Sequence, residues 1–246
     1  VTVVAAVSGP VRFARFALPP NQLGYCGPGD DGSLAHYAST GEDPGLRSLA
    51  AGFDGAYPYL QLLAGENRRG DPLDPDVVEA YWIGNELLRN VSVFQFGRSI
   101  DDRFRRRAGA DWRHVDTAIV GGVPHHAFHV MHVMPWTGLL RDGIIDEPLR
   151  IVDRCRVSWA TVIDRPDARG DDGGTRALIR RVPLVWRSDR LEYGEPVVEH
   201  VSTSIAVEPG DVVAVHWDWI CERLSVRQLA WLRTVTDEQL AMHRAR

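Results

Sequence analysis

The chain has 246 residues, a formal net charge of −5, 44% hydrophobic and 25% charged residues, which describes a folded globular protein without a global basic field for nucleic acid. All 28 basic residues are arginine, which excludes Schiff-base lysine chemistry, ordinary pyridoxal-phosphate catalysis and a Gly-Lys-Ser/Thr phosphate loop. The cysteines Cys26, Cys155 and Cys221 form no CxxC pair, so a zinc ribbon and a thioredoxin motif are absent and a reducing cytoplasm is expected. Val1–Val7 is too short and lacks the basic lead of a secretory signal, and no apolar run reaches bilayer length.

The first 150 residues read as mostly helical. The run Pro19 to Pro28 places Cys26 among glycines and prolines, an unusual backbone setting ahead of a possible helix. Tyr57 to Ala64 reads as a short helix entered at Pro58. Asp76 to Val91 is the clearest helix: Asp74 and Pro75 supply an N-cap and a first-turn proline, and Val77, Val78, Tyr81, Trp82, Leu87 and Leu88 form its apolar face. Ser92 to Ala108 is a third, with Phe94, Ile100 and Phe104 expected inward and arginines 103 and 105–107 solvated near its end.

Near residue 151 the texture changes. Cys155 to Ile163 alternates as a strand, Asp164 to Gly174 is a polar turn, and Arg176 to Arg187 is β-like, with Pro183 marking an edge or bulge. Leu191 to Val201 and Asp211 to Trp219 complete the strands, with a turn at Pro209-Gly210-Asp211. Ser225 then caps a C-terminal helix that uses Leu229, Leu232 and Leu240. The expected fold is α+β: a helical domain over residues 1–150, then over 151–246 a small β-barrel of SH3 or OB size and a final helix.

Three groups of residues can carry chemistry. Cys26, in its glycine-flanked turn, is a candidate low-pKa nucleophile, with N–H groups near Gly27 as an oxyanion hole. Pro124 to Met134 holds four of the nine histidines; on a helix His125, His129 and His132 share a face, and His126 and His129 are three apart. These suit metal ligands, for iron or zinc, or a general base among His125, His126 and His129 acting with Cys26. No HExxH motif is present, and Asp54, Glu66, Asp71, Asp74 and Glu79 are candidate orienting carboxylates. The third group is Cys155, expected to open the first barrel strand, with His216 inside the apolar run Val212 to Trp219; together they can hold a soft or borderline metal.

The stretch from Cys155 to about Leu232 resembles the small β-barrel chaperones of nickel–iron hydrogenase maturation. The resemblance rests on Val207-Glu208-Pro209-Gly210-Asp211-Val212-Val213-Ala214-Val215-His216, followed by Glu222-Arg223-Leu224 and the last helix. It implies that Cys155 and His216 handle an iron–cyanide–carbonyl unit. The family cysteine directly follows the initiator methionine, whereas Cys155 is internal. The whole chain also resembles an actinobacterial family through Phe13-Ala14-Arg15, Pro19 to Pro28, Asp71 to Asp74, His125 to His129 and His216 to Trp219. That resemblance implies one site for Cys26 and the histidine cluster.

Three functions fit these residues. One is an accessory or maturation protein whose Cys/His site handles a metal unit or docks a protein partner. A second is a cysteine-dependent acyl or aminoacyl transferase or amidohydrolase acting on a small acyl substrate. A third is an interaction module without chemistry. Nothing favours a membrane, and the arginine-rich stretch at 103–107 is too small a basic face to argue for nucleic acid.

Overall fold

The computed structural model describes residues 7–29, 32–41, 45–108, 112–167 and 175–244. Helices α1 (Gly9–Gln22), α2 (Ser33–Thr40), α3 (Leu46–Ala51), α4 (Tyr57–Glu66) and α5 (Pro75–Trp82) come first. They are followed by α6 (Val93–Ala108), α7 (Trp112–Ile119), α8 (His126–Phe128), α9 (Trp136–Arg141) and α10 (Asp146–Cys155). The strands are β1 (Ser158–Asp167), β2 (Thr175–Arg181), β3 (Leu184–Arg187), β4 (Arg190–Tyr193), β5 (Val197–Thr203), β6 (Val212–His216) and β7 (Trp219–Arg223), and α11 (Val226–Arg244) ends the chain. The architecture is therefore α+β, as the sequence predicts: helices, a closed five-stranded barrel, and a C-terminal helix.

Helix α1 is the centre of the helical part. Ser8 caps it by accepting from the Val11 amide, and Phe13, Phe16 and Ala17 are wholly buried. Gly9 is required by close approach, because a Cβ there would lie 1.9 Å from the Leu73 carbonyl oxygen. Phe16 stacks on Trp82 of α5 at 5.4 Å, and Phe13 meets Phe53 edge-on at 5.2 Å.

The long helix expected over Asp76 to Val91 stops at Trp82. Gly84 takes a φ of +104°, and Asn85 caps a separate 3-10 turn, Glu86–Asn90, by accepting from the Leu87 amide. Leu87 and Leu88 still reach the core from that turn. In α6, Ile100 and Phe104 are buried as expected, but Phe94 is 70% exposed and Phe96 takes its place, at the four-residue spacing of one helix face. Arg103 does not extend into solvent either: its guanidinium lies 4.4 Å from the centre of the Tyr59 ring.

The barrel closes in the order β1-β2-β5-β7-β6, antiparallel except for β5 with β7. Val162, Ile179, Val201, Val213, Val215 and Ile220 fill its interior. Pro183 separates β2 from β3, and β3 with β4 forms a separate hairpin against α10 and α11. Pro209 and Gly210 make the turn before β6. Ser225 and Gln228 cap α11 reciprocally, Ser225 Oγ accepting from the Gln228 amide and Gln228 Oε1 from the Ser225 amide.

Strand β6 faces two cores. Val213 and Val215 point into the barrel, while Ala214 packs in the helical core and His216 reaches the Phe16 carbonyl of α1. The main apolar cluster thus joins Phe13 and Trp82 to Val157, Ala214, Cys221 and Leu232. Arg12 of α1 ties the same parts together with a two-toothed pair to Glu222 of β7, at 2.8 and 2.9 Å. Among the described residues no helix is long and apolar enough to cross a membrane.

Candidate metal centre

Cys155, expected to open a strand, is instead the last residue of α10. The acidic first turn of that helix, Asp146 and Glu147, and its buried Ile151 and Val152 carry the helix through the position, and Arg156 turns the chain to extended backbone with ψ 139°. The ladder then sets its place. Ser158 pairs with Val215, and the Trp217 amide donates to the Arg154 carbonyl at 2.7 Å, so the chain before β1 runs alongside the end of β6.

The histidine segment is not one regular helix. His125 is the N-cap of α8, its Nδ1 accepting from the Ala127 amide at 3.0 Å. His129–Val133 forms a π-helical turn, closed by the Met134 amide donating to the His129 carbonyl. The face expected to hold His125, His129 and His132 together is therefore broken. His126, one residue inside the cap, points to Cys155 and His216. The ligand atoms of His126, Cys155 and His216 all lie within 4.8 Å of one another, and this group can hold a metal ion.

Both imidazoles have assigned partners. His216 Nδ1 lies 2.6 Å from the Phe16 carbonyl oxygen and must donate to it, so the neutral ring keeps its lone pair on Nε2. That Nε2 is buried and makes no hydrogen bond of good geometry, and the Cys155 carbonyl is the second carbonyl that acts on the ring once Phe16 holds Nδ1. His126 Nε2 lies 2.8 Å from the Cys155 carbonyl oxygen and 4.0 Å from the Cys155 sulfur. Its Nδ1 lies 3.3 Å from the Tyr81 hydroxyl, which can also donate to the Gly55 carbonyl at 3.4 Å. The Cys155 carbonyl only accepts, so His126 Nε2 carries the ring proton and Nδ1 accepts from the Tyr81 hydroxyl; a metal on Nε2 would require that proton to move to Nδ1, where the Tyr81 oxygen can accept it.

Burial dominates the electrostatics. It lowers His216 to about 4, opposed by the carbonyls of Phe16 and Cys155. His126 is also lowered, by burial and then by His216. Both rings are therefore neutral at physiological pH, the charge state in which an imidazole can ligate a metal. Burial raises the Cys155 thiol, and the nearby Cys26 adds to the rise; the buried Trp217 indole N–H opposes it. Trp217 has a φ of +55° and is covered by Tyr25, stacked at 4.6 Å, and by the Arg150 guanidinium at 5.7 Å. A metal entering here must displace the thiol proton.

Cys26 is also overturned as a low-pKa thiol: burial pushes it up to about 12. Its backbone is held by Asn21, whose Nδ2 donates to the Cys26 carbonyl at 3.0 Å. Cys26, His129 and His132 line one cavity of about 480 Å³, and Asp54 lines it too. His125 is fully enclosed outside that lining. Three of the other candidate carboxylates serve structure: Asp71 binds Arg47 and the Leu73 amide, Asp74 caps α5, and Glu79 pairs with Arg12, while Glu66 ends α4 outside both the cavity lining and the metal-binding group.

Sequence patterning does not reach Tyr59, Tyr81 or Trp217. Their apolar neighbours mark them as core, and only the placement of their polar atoms shows what they serve. A family model of unknown function, DUF6390, matches residues 5–246. No curated protein and no solved structure matches the chain. With helices, barrel and the His126–Cys155–His216 group all inside the matched span, this chain belongs to the DUF6390 family, a family of unknown function.

Proposed function

We propose that the protein binds a transition metal, iron or zinc, through His126, Cys155 and His216, and serves as an accessory protein that receives a metal unit and passes it to a protein partner. The observation that carries this reading is His216 Nε2: buried, without a hydrogen bond of good geometry and held in the metal-binding tautomer by the Phe16 carbonyl. Two imidazoles and one thiolate suit borderline metals, and three protein donors leave a fourth position for exchange. A tetrahedral centre with metal–nitrogen near 2.0 Å and metal–sulfur near 2.3 Å sets nitrogen and sulfur roughly 3.5 Å apart. The 4.0 Å between His126 and Cys155 closes to that by small side-chain rotations. The likeness of residues 207–216 to the barrel chaperones of hydrogenase maturation supports a role in metal handling, with His126 as an added donor where Cys155 is internal.

The test is cobalt(II) titration of protein without a histidine tag. One equivalent with a thiolate-to-cobalt charge-transfer band is expected. Cys155→Ser should abolish the band, and His216→Ala should weaken binding by more than about a hundredfold, beyond the loss typical of an outer-shell partner. Cys26→Ser should leave the band in place. Cobalt bound without a charge-transfer band, or a band that survives Cys155→Ser, sinks the assignment.

A further inference from the structure

The three metal-binding side chains are not covered equally. His126 and His216 are buried, and the ring of Trp82, itself a core residue, lies 4.5 Å from one imidazole and 5.5 Å from the other. Cys155 is only half-buried, so the group comes nearest to solvent there. Trp217 stands over it. Its amide donates to the Arg154 carbonyl at 2.7 Å, and its indole N–H faces the Cys155 thiol. A φ of +55° is unusual for so large a residue, and the surroundings must hold it.

Tyr25 is the outer layer. Its ring stacks on Trp217 at 4.6 Å with 24° between the planes, leaving Trp217 3% exposed while Tyr25 itself is 37% exposed. Arg150 fastens the stack: its Nη2 donates to the Tyr25 hydroxyl oxygen at 3.2 Å and to Glu147 at 2.7 Å. The Arg150 and Glu147 side chains are 49% and 59% exposed, so this latch holds weakly. The backbone gives at one end only. Gly24 has a φ of +74° and nothing within 4 Å of a Cβ placed on it, whereas Asn21 Nδ2 pins the Cys26 and Pro28 carbonyls at 3.0 and 2.9 Å. Tyr25 also lines the 480 Å³ cavity, so its ring has space to enter when it leaves Trp217.

We infer that Tyr25 is a gate over the metal group, latched by Arg150, and that metal enters and leaves past Cys155 when the Tyr25 ring swings away and frees Trp217. The inference rests on the metal reading for what passes the gate. Its opening can be followed without metal, so the two can fail separately.

The experiment is alkylation of the metal-free, full-length protein with iodoacetamide, with each cysteine read by mass spectrometry. Tyr25→Ala should raise the Cys155 rate about tenfold or more by making local opening unnecessary, while Cys221, wholly buried in the core, stays unreactive. Cobalt(II) should then enter and leave Tyr25→Ala about tenfold faster, with affinity within about threefold of the parent, because a gate changes both rates alike. Arg150→Gln, at an exposed position, should raise the Cys155 rate about threefold, the scale of a lost surface pair. That variant decides the matter if Tyr25→Ala loosens the fold and Cys221 reacts as well. A Cys155 rate unchanged in Arg150→Gln, or unchanged in Tyr25→Ala, overturns the gate. Cobalt uptake at the parental rate in Tyr25→Ala overturns it too.

Discussion

At His216 one hydrogen bond decides the chemistry of the ring. The Phe16 carbonyl takes the Nδ1 proton, and a strand residue becomes a donor atom without a proton. His129 is the mirror case, because Tyr59 takes its Nδ1 and leaves a donor on Nε2. Cys155 and His216 were legible from composition and position along the chain. Their carbonyl and hydroxyl partners were not, because residues remote in sequence supply them. His129 also carries a prediction. Burial, and after it Arg103, lower its pKa to about 3. The unfolded chain takes up this proton below about pH 6.5 while the folded one does not, so the stability it contributes is complete above that pH and declines as pH falls toward 3. The slope for one such histidine is at most about 1.4 kcal/mol per pH unit. Urea midpoints measured between about pH 4 and 7 should fall less steeply for His129→Gln than for the parent protein; parallel slopes would exclude His129 as a source.

Among the elements, those with a clean period were readable. The alternation of β6, the proline-led start of α5 and the Ser225 cap all appear where local chemistry puts them. Three features were not readable, and each has its own cause. Gly84 ends α5 early because the chain turns there into a left-handed conformation. The extended N-cap backbone of His125 takes it off the face expected for His125, His129 and His132, and the π-helical turn that follows, which no apolar spacing announces, leaves His129 and His132 on one cavity. The α10–β1 boundary falls after Cys155 because the helix and strand both contain apolar residues at positions that fit either period. At this scale Arg12 is the clearest target. Its side chain and that of Glu222 are 11% and 12% exposed, whereas the Arg47–Asp71 pair is 57% and 39% exposed. Arg12→Met should lower stability by about 3–5 kcal/mol by leaving Glu222 buried without its main partner. Arg47→Met should cost less than about 1 kcal/mol. Urea unfolding of both variants measures this, and equal losses would refute it.

Over the whole molecule, the outer face of the barrel forms part of the helical core. Residue 150 lies inside α10, and the main apolar cluster includes side chains from both sides of it. We therefore expect one cooperative transition, with tryptophan emission and far-ultraviolet circular dichroism giving coincident denaturation curves. Two separated transitions would favour independent folding of residues 1–150 and 151–246.

The pairing of β1 with β6 has a consequence for how this protein tolerates change. Cys155 and His216 are 61 positions apart in sequence, yet their separation in space is measured out by backbone hydrogen bonds from Ser158–Val215 onward. The barrel wall acts as a ruler. Side chains alternate along a strand, so a slip of one residue in that ladder would turn His216 into the barrel interior and bring Val215 to its place. Residues 163–211 can lengthen or shorten in their loops without moving either mark, while a single insertion within β6, between Val212 and His216, would erase the site and leave a barrel standing.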